Sequence, residues 1–371
     1  MPYNEIYVDP SIDTDSGAGT SGDPYGRLQY ALDNATRGGI GANNRFNVKA
    51  GTTTTLSAPL SMSTFGAGSV NEPCTIQGYT SSPGDGGIAT IDGNGGNFHI
   101  FGATASVDWY WHFEDMKLTN TGTAAVFGAN ANYLMCTNCE ISDGLETIAD
   151  AAASELFERC YIKGMSAGAL TKVRVNHCFV RHGGTLAAIT NTTDMVSTNN
   201  LILVESDVVG INLNSPTTER VFNNSILCTA GGALTNSGIR VTAPRAANVI
   251  NNLIEGFNAA LGVNNYRFGA NFRGNAAFDC VYVRGDSFDC QFDDTETLVS
   301  SPFAKTGSLP TDFTSASFWG DVYAYFAPVD VGNVYSGFPA GANQTKGAVG
   351  QPVGGGGPSG PVRHPLARLQ T

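Results

Sequence analysis

The amino-acid sequence predicts an all-β solenoid, a single parallel β-helix. Three observations carry the expectation. A short motif returns about every 22 residues. A second short apolar stretch lies between successive returns. No segment shows the sustained 3.6-residue or fixed-leucine period of helical and leucine-rich repeats.

The motif is seen by aligning "FEDMKL" (113–118), "CTNCEI" (136–141), "FERCYI" (157–162), "VNHCFV" (175–180), "STNNLI" (197–202), "FNNSIL" (222–227), "VINNLI" (249–254) and "FRGNAA" (272–277). With one slip, placed at Val249–Ile254, each reads apolar, two polar, a small or amide residue, any residue, apolar. The closing apolar positions are Leu118, Ile141, Ile162, Val180, Ile202, Leu227, Ile254 and Ala277. Their separations of 23, 21, 18, 22, 25, 27 and 23 residues describe coils with loops inserted on some faces.

The fourth motif position holds Met116, Cys139, Cys160, Cys178, Asn200, Ser225, Asn252 and Asn275. Coils stack about 4.8 Å apart, so Cys139, Cys160 and Cys178 are expected to form an internal ladder that Asn200, Asn252 and Asn275 continue. The C-x-x-C pair Cys136 and Cys139 then reads as packing. Cys136 opens a strand where other coils have Phe113, Phe157 and Val175, and a zinc site would need four converging ligands.

The ends need caps, because a solenoid exposes apolar surface there. Residues 1–60 read as an N-terminal strand and capping helix. In "DPYGRLQYALDNATRGG" (23–39), Leu28, Ala31, Leu32 and Ala35 share one helical face. Residues 61–299 hold the coils, with the stack beginning in "FNVKAGTTTTLSAPLSM" (46–62) and decaying after Ala277. "DCVYVRGDSFDCQF" (279–292), with Cys280 and Cys290, reads as a hairpin, and its Arg284–Ser287 as an ordinary Gly-Asp turn. Residues 300–350 read as an irregular aromatic cap, and 351–371 as a glycine linker and a basic tail. In that tail Arg363, His364, Leu366, Arg368 and Leu369 are expected to dock on a partner.

Composition narrows the function. Glycine (46 residues) is abundant, only 14% of residues are charged, and the net charge is −12, which excludes a phosphate-backbone binder. No apolar run approaches the roughly 18 residues of a membrane span. The start "MPYNEIYVDPS" lacks the basic and apolar regions of a secretory leader. Cytoplasmic synthesis, or removal of an upstream leader, is therefore expected.

The opening "YVDPSIDTDSGAGTSGDPYGRLQYALD", together with "NVKAGTTTTL", "EPCTIQGYTSSPGDGGIATIDG" and the "FERCYI"-type repeats, resembles the pectate-lyase-like right-handed parallel β-helix superfamily over roughly residues 5–350. That superfamily includes pectate lyases, polygalacturonases, alginate and chondroitin lyases, and phage tail-spike and capsid proteins, some of them non-catalytic. The resemblance implies a right-handed helix, a cleft along one parallel sheet and, for the phage members, a homotrimer.

Two surfaces are candidates for chemistry. Taking Val126, Ile148, Leu170, Ile189, Ile211, Ile239 and Leu261 as inward, the outward residues are Phe127, Ala149, Thr171, Thr190, Asn212, Arg240 and Gly262. None is a carboxylate, so the family's catalytic acids cannot be carried over onto this face. After the closing apolar positions come Thr119, Ser142, Lys163, Arg181, Leu203, Cys228 and Glu255. Lys163 beside Arg181, with Arg159, His177 and His182 near, could serve a lyase as base, although Glu155 and Glu158 are placed to neutralise the patch. The acidic opening Asp9, Asp13, Asp15 and Asp23 could take calcium but reads as an Asx-rich turn, so no cofactor is expected.

The function expected is a non-enzymatic structural or receptor/glycan-facing β-helix of a bacteriophage virion, as capsid decoration or tail spike. Its partners would be itself, other virion proteins and a cell-surface glycan. A polysaccharide lyase or glycoside hydrolase acting on acidic glycans, and an extracellular or cell-surface bacterial protein, are the alternatives.

Overall fold

The computed structural model describes residues 3–34, 44–61, 73–102, 110–119, 121–122, 124, 126–127, 133–142, 154–163, 165–166, 173–185, 187–191, 194–214, 219–231, 235–242, 247–263, 271–284, 291–293, 296–298 and 300–326. They fall into two compact units, one ending at Cys160 and one beginning at Tyr161. Both are built from short parallel strands, coil after coil, and the fold is an all-β parallel β-helix.

In the first unit, sheet one consists of Asn4–Val8, Asn44–Lys49, Cys74–Tyr79, Tyr110–Glu114, Tyr133–Thr137 and Ser154–Glu158. Sheet two consists of Thr54–Thr55, Ala89–Asp92, Met116–Thr119 and Glu140–Ser142. The stack thus begins at Asn4–Val8, one strand earlier than the sequence reading placed it. Strand alternation turns Ile6, Phe46, Ile76, Phe113, Cys136 and Phe157 into one inward row of buried register partners.

The second unit has three sheets. Sheet one runs Val173–Asn176, Met195–Thr198, Glu219–Phe222, Ala247–Ile250, Asn271–Arg273 and Gln291–Asp293. Sheet two runs Tyr161–Lys163, Phe179–His182, Leu201–Val204, Ser225–Cys228, Leu253–Glu255, Ala276–Phe278 and Glu296–Thr297. Sheet three holds Met165–Ser166, Ile189–Asn191, Ile211–Leu213, Ser237–Val241, Ala259–Val263 and Tyr282–Arg284. Ile189, Ile211, Ile239 and Leu261 form its inward row and are fully buried.

The corner between sheets one and two explains the motif. Its third position takes left-handed φ in both units: Asp115, Asn138 and Arg159 lie at 55°, 51° and 55°, and His177, Asn199, Asn223 and Asn251 at 52°, 57°, 56° and 59°. Gly274 takes the same turn at 57°. One left-handed residue bends the chain sharply enough to leave one sheet and enter the next, and Asn, Asp and Gly tolerate it best.

The fourth position then points inward and donates to the first-position carbonyl of the preceding coil. In the first unit Cys139 Sγ lies 3.5 Å from Phe113 O, and Cys160 Sγ 3.4 Å from Cys136 O. In the second unit amides make the same bond more strongly: Asn200 to Val175 O, Asn224 to Ser197 O, Asn252 to Val221 O and Asn275 to Val249 O, at 2.9–3.0 Å. Asn200, Asn224 and Asn252 each also donate at 2.9–3.0 Å to the Oδ1 of the next, a run that ends on Asn275. Cys178 N reaches Asn200 Oδ1 at 2.9 Å, joining the sulfur and amide parts of that ladder.

Several expectations are corrected. The motif slip lies at 222–227, not at Val249–Ile254: Asn200 aligns with Asn224 because Leu201 pairs with Ser225. The ladder residue is therefore Asn224, the closing apolar residue is Ile226, and Leu227, not Cys228, follows it. The expected hairpin at 279–292 is instead parts of a further coil, since Tyr282–Arg284 and Gln291–Asp293 each pair in parallel with the coil before. Phe127 is not outward; it is buried and stacks on Phe101 at 5.7 Å.

Two helices flank the coils. Helix α1, Leu28–Asn34, buries Leu28, Ala31 and Leu32, and Gln29 Oε1 accepts from Ser61 N at 2.7 Å. Within the segment read as irregular, helix α2, Phe318–Tyr325, packs Phe318 5.0 Å from Tyr161, and the following Phe326 lies 6.0 Å from Phe179. It covers the outward aromatics of sheet two, a flank of the second unit.

Asn224→Ala removes two donors and an acceptor from a buried chain of amides. It should lower unfolding stability by about 1–3 kcal/mol or more, read as a reduced urea midpoint, while Asn223→Ala, at the half-exposed corner, should cost less.

Candidate functional site

The residues proposed for a lyase do not converge. Lys163 and Arg181 are register partners on sheet two of the second unit, and Lys163 is exposed. Arg181, however, is held bidentately by Glu205, with Nε 3.0 Å from Oε2 and Nη2 2.8 Å from Oε1. That hydrogen bonding raises the Arg181 pKa and cancels the positive field Lys163 would need to become a base. His182 is buried, and His177 is a left-handed corner residue, as is Arg159 in the first unit. On sheet three Asn212 Nδ2 donates to Thr190 Oγ1 and Arg240 Nε donates to Asn212 Oδ1, both at 3.3 Å. Residues 148–149 and 170–171, and the tail residues Arg363, His364, Leu366, Arg368 and Leu369, lie outside the described residues.

The acidic opening is tied up by the chain's own cations. Lys49 Nζ is 2.7 Å from Asp9, and Arg27 reaches Asp13 at 2.9 Å and Asp15 at 3.4 Å. The thiols of Cys136 and Cys139 are both fully buried, and burial raises the Cys136 pKa to about 11. They are packing groups, too basic to act as nucleophiles near neutral pH.

Polar chemistry gathers instead on the outward face of sheet one in the first unit. Two adjacent outward rows run there. One is Arg45, Thr75, His112, Met135 and Leu156; the other is Asn47, Gln77, Glu114, Thr137 and Glu158. Outward does not mean exposed in this patch: Asn47 is 0%, Thr75 1%, Gln77 4% and His112 4% exposed. Four neighbouring atoms here are buried without a hydrogen-bond partner: Arg45 Nε, Asn47 Oδ1, Thr75 Oγ1 and Gln77 Oε1. Buried polar atoms are normally satisfied, so these neighbouring exceptions, taken among the described residues, mark a place that enclosed water would complete.

Two carboxyls border the patch. Burial first, and the neighbouring Asp115 charge second, push Glu114 up to about 7, with Arg45 opposing. Burial likewise raises Asp115 to about 6 against hydrogen bonds from Asn138, at 2.6 Å, and Gln77. Burial also raises Glu158. His112 Nε2 lies 3.1 Å from Thr137 Oγ1, holding the centre of both rows. The sequence reading missed this face because it took the second motif position only as one of two polar residues and did not ask which way it points. The usable signal was the recurrence of Glu114, Thr137 and Glu158 at that position, the last outward place on each strand.

No family model matches the chain, and no curated protein sequence matches it. Solved structures similar to it include pectate lyase Pel9A, at 14% identity over 93% of this chain and 95% of that one, TM-score 0.49. A rhamnogalacturonan lyase is 13% identical over 74% and 73%, TM-score 0.45, and pectin methylesterase from carrot 12% identical over 81% and 89%, TM-score 0.34. The likeness is one of fold.

Glu155, expected on the surface, lies inward beside Leu134, wholly buried, with neither carboxyl oxygen bonded. Burial raises its pKa to about 8. The folded state therefore holds this proton where the unfolded chain, at about 4.3, has lost it. Stability should be full below pH ~4, fall as pH rises between those values, and be lower by about 3–5 kcal/mol above pH 8. Glu155→Gln should flatten that slope to the share left by Glu114 and Asp115, and unfold at higher urea than wild type at pH 8.5.

Proposed function

We propose that this protein is a glycan-facing β-helix that binds rather than cleaves, using the outward face of sheet one in the first unit. The observation that carries the reading is the half-exposed part of that face, where Tyr110 and Tyr133 stack at 4.2 Å and share the face with half-buried Glu114 and Glu158. A sugar offers a ring face that meets the tyrosines and hydroxyls that donate to the carboxyls. Placement in a bacteriophage virion, as a homotrimer among other virion proteins, is supported by the resemblance of the coil repeats to phage β-helix proteins. Titrating the protein with host-surface polysaccharides by calorimetry should give saturable binding that Tyr133→Ala weakens about tenfold, one lost aromatic contact to the sugar. Absence of saturation, or an unchanged Tyr133→Ala, would reject the site.

A hydrolase is the second reading, favoured by one observation. Glu114, poised near neutrality, and Glu158 stand two strands apart on one row, so their backbones are about 10 Å apart, a spacing that lets a water fit between two carboxyls as in inverting glycosidases. The binding reading expects no new reducing ends from the bound polysaccharide. Turnover that falls at least a hundredfold in Glu114→Gln, with a pH limb near 7, would establish hydrolysis instead.

A further inference from the structure

The outward face of sheet one in the second unit has a different chemistry. Arg174, Val196, Arg220, Asn248 and Asn271 are successive register partners along one row. Arg174 and Arg220 are therefore two strands apart, about 10 Å along the backbone, with only a valine side chain between them. Among the described residues, no carboxylate forms an ion pair with either. Asp194 acts on Arg174 only at longer range.

This pairing is unfavourable for the protein alone. Arg174 is half-buried, and both burial and the charge of Arg220 disfavour its cationic form. The chain carries 32 acidic against 20 basic residues, yet among the described residues neither of these neighbouring guanidinium groups is ion-paired. The adjoining outward row places half-exposed Phe222 and Ile250 beside Arg220 and Asn248, an apolar floor next to the cations. At the end of the row Asn271 Oδ1 is buried without a partner.

We propose that Arg174 and Arg220 form an oxyanion site for a sulfate or phosphate ester carried on a glycan. A tetrahedral ester group presents three outer oxygens and so accepts from two separate guanidinium forks, whereas a planar carboxylate is satisfied by one. Phe222 and Ile250 would meet the apolar face of the sugar that bears the ester. The carrier rests on the glycan-facing reading; the anion site does not, because it uses another face and other residues.

The test is calorimetry on the full chain at low salt with dextran sulfate, unsulfated dextran, inorganic sulfate and inorganic phosphate as probes. Dextran sulfate should bind and dextran should not, with affinity falling as sodium chloride is raised. Arg220→Ala should weaken binding at least tenfold, Arg220→Lys should recover only part of it because the fork is lost, and Arg174→Ala/Arg220→Ala should abolish it. Unchanged urea midpoints would show that these variants fold. Tyr133→Ala should leave dextran sulfate binding intact, which separates failure here from failure of the first-unit site. Equal binding by wild type and the double variant, or no binding of any anion, would overturn the site. Binding of the inorganic ions but not of dextran sulfate would overturn the glycan carrier.

Discussion

The rest of the architecture depends on one hydrogen bond repeated at one corner. A left-handed residue ends the sheet-one strands from Tyr110–Glu114 to Asn271–Arg273, and at Cys139, Cys160, Asn200, Asn224, Asn252 and Asn275 the next side chain turns inward and donates to a carbonyl one coil back. Without that donor the bend would leave a buried carbonyl unpaired, at a cost of about 1–3 kcal/mol in each of those coils. The bond also sets register. It fixes which residue of one coil stands above which of the next, and so decides what the sheet faces display.

Sulfur and amide satisfy the corner differently. A thiol gives one weak, long bond and otherwise packs as a small hydrophobe. An asparagine gives two donors and an acceptor, and its Oδ1 takes both the backbone N–H and the side-chain amide of its neighbour. The Asn200–Asn275 run is thus a continuous chain of polarised amides, while Cys139 and Cys160 make separate contacts. The same regularity gives each outward row its own identity: carboxyls and unsatisfied amides in the first unit, arginines in the second.

The fold was legible because inward positions obey a strict two-residue alternation and the corner obeys a narrow choice of residues. The frame failed at 222–227 for a physical reason. Val221 and Phe222 are both apolar, and both Asn223 and Asn224 suit a corner, so the local pattern fits in two registers; only pairing with Asn200 distinguishes them. Glu155 was misplaced because charge argues for the surface more loudly than alternation argues for the core. The candidate site was the least legible part. Its residues are ordinary polar types, and their meaning comes from being buried while facing outward, which depends on packing that no short stretch of sequence encodes.

Helix α2 has a consequence for how the protein is made. Tyr161 and Phe179 belong to early coils of the second unit, but the side chains that cover them, Phe318 and Phe326, are among the last described residues of the chain. During synthesis the ribosome releases the later coils before it releases their lid. A growing chain therefore presents a sticky aromatic stripe to its surroundings until α2 emerges and closes over it, and a truncation before residue 318 would leave that stripe permanently open to aggregation.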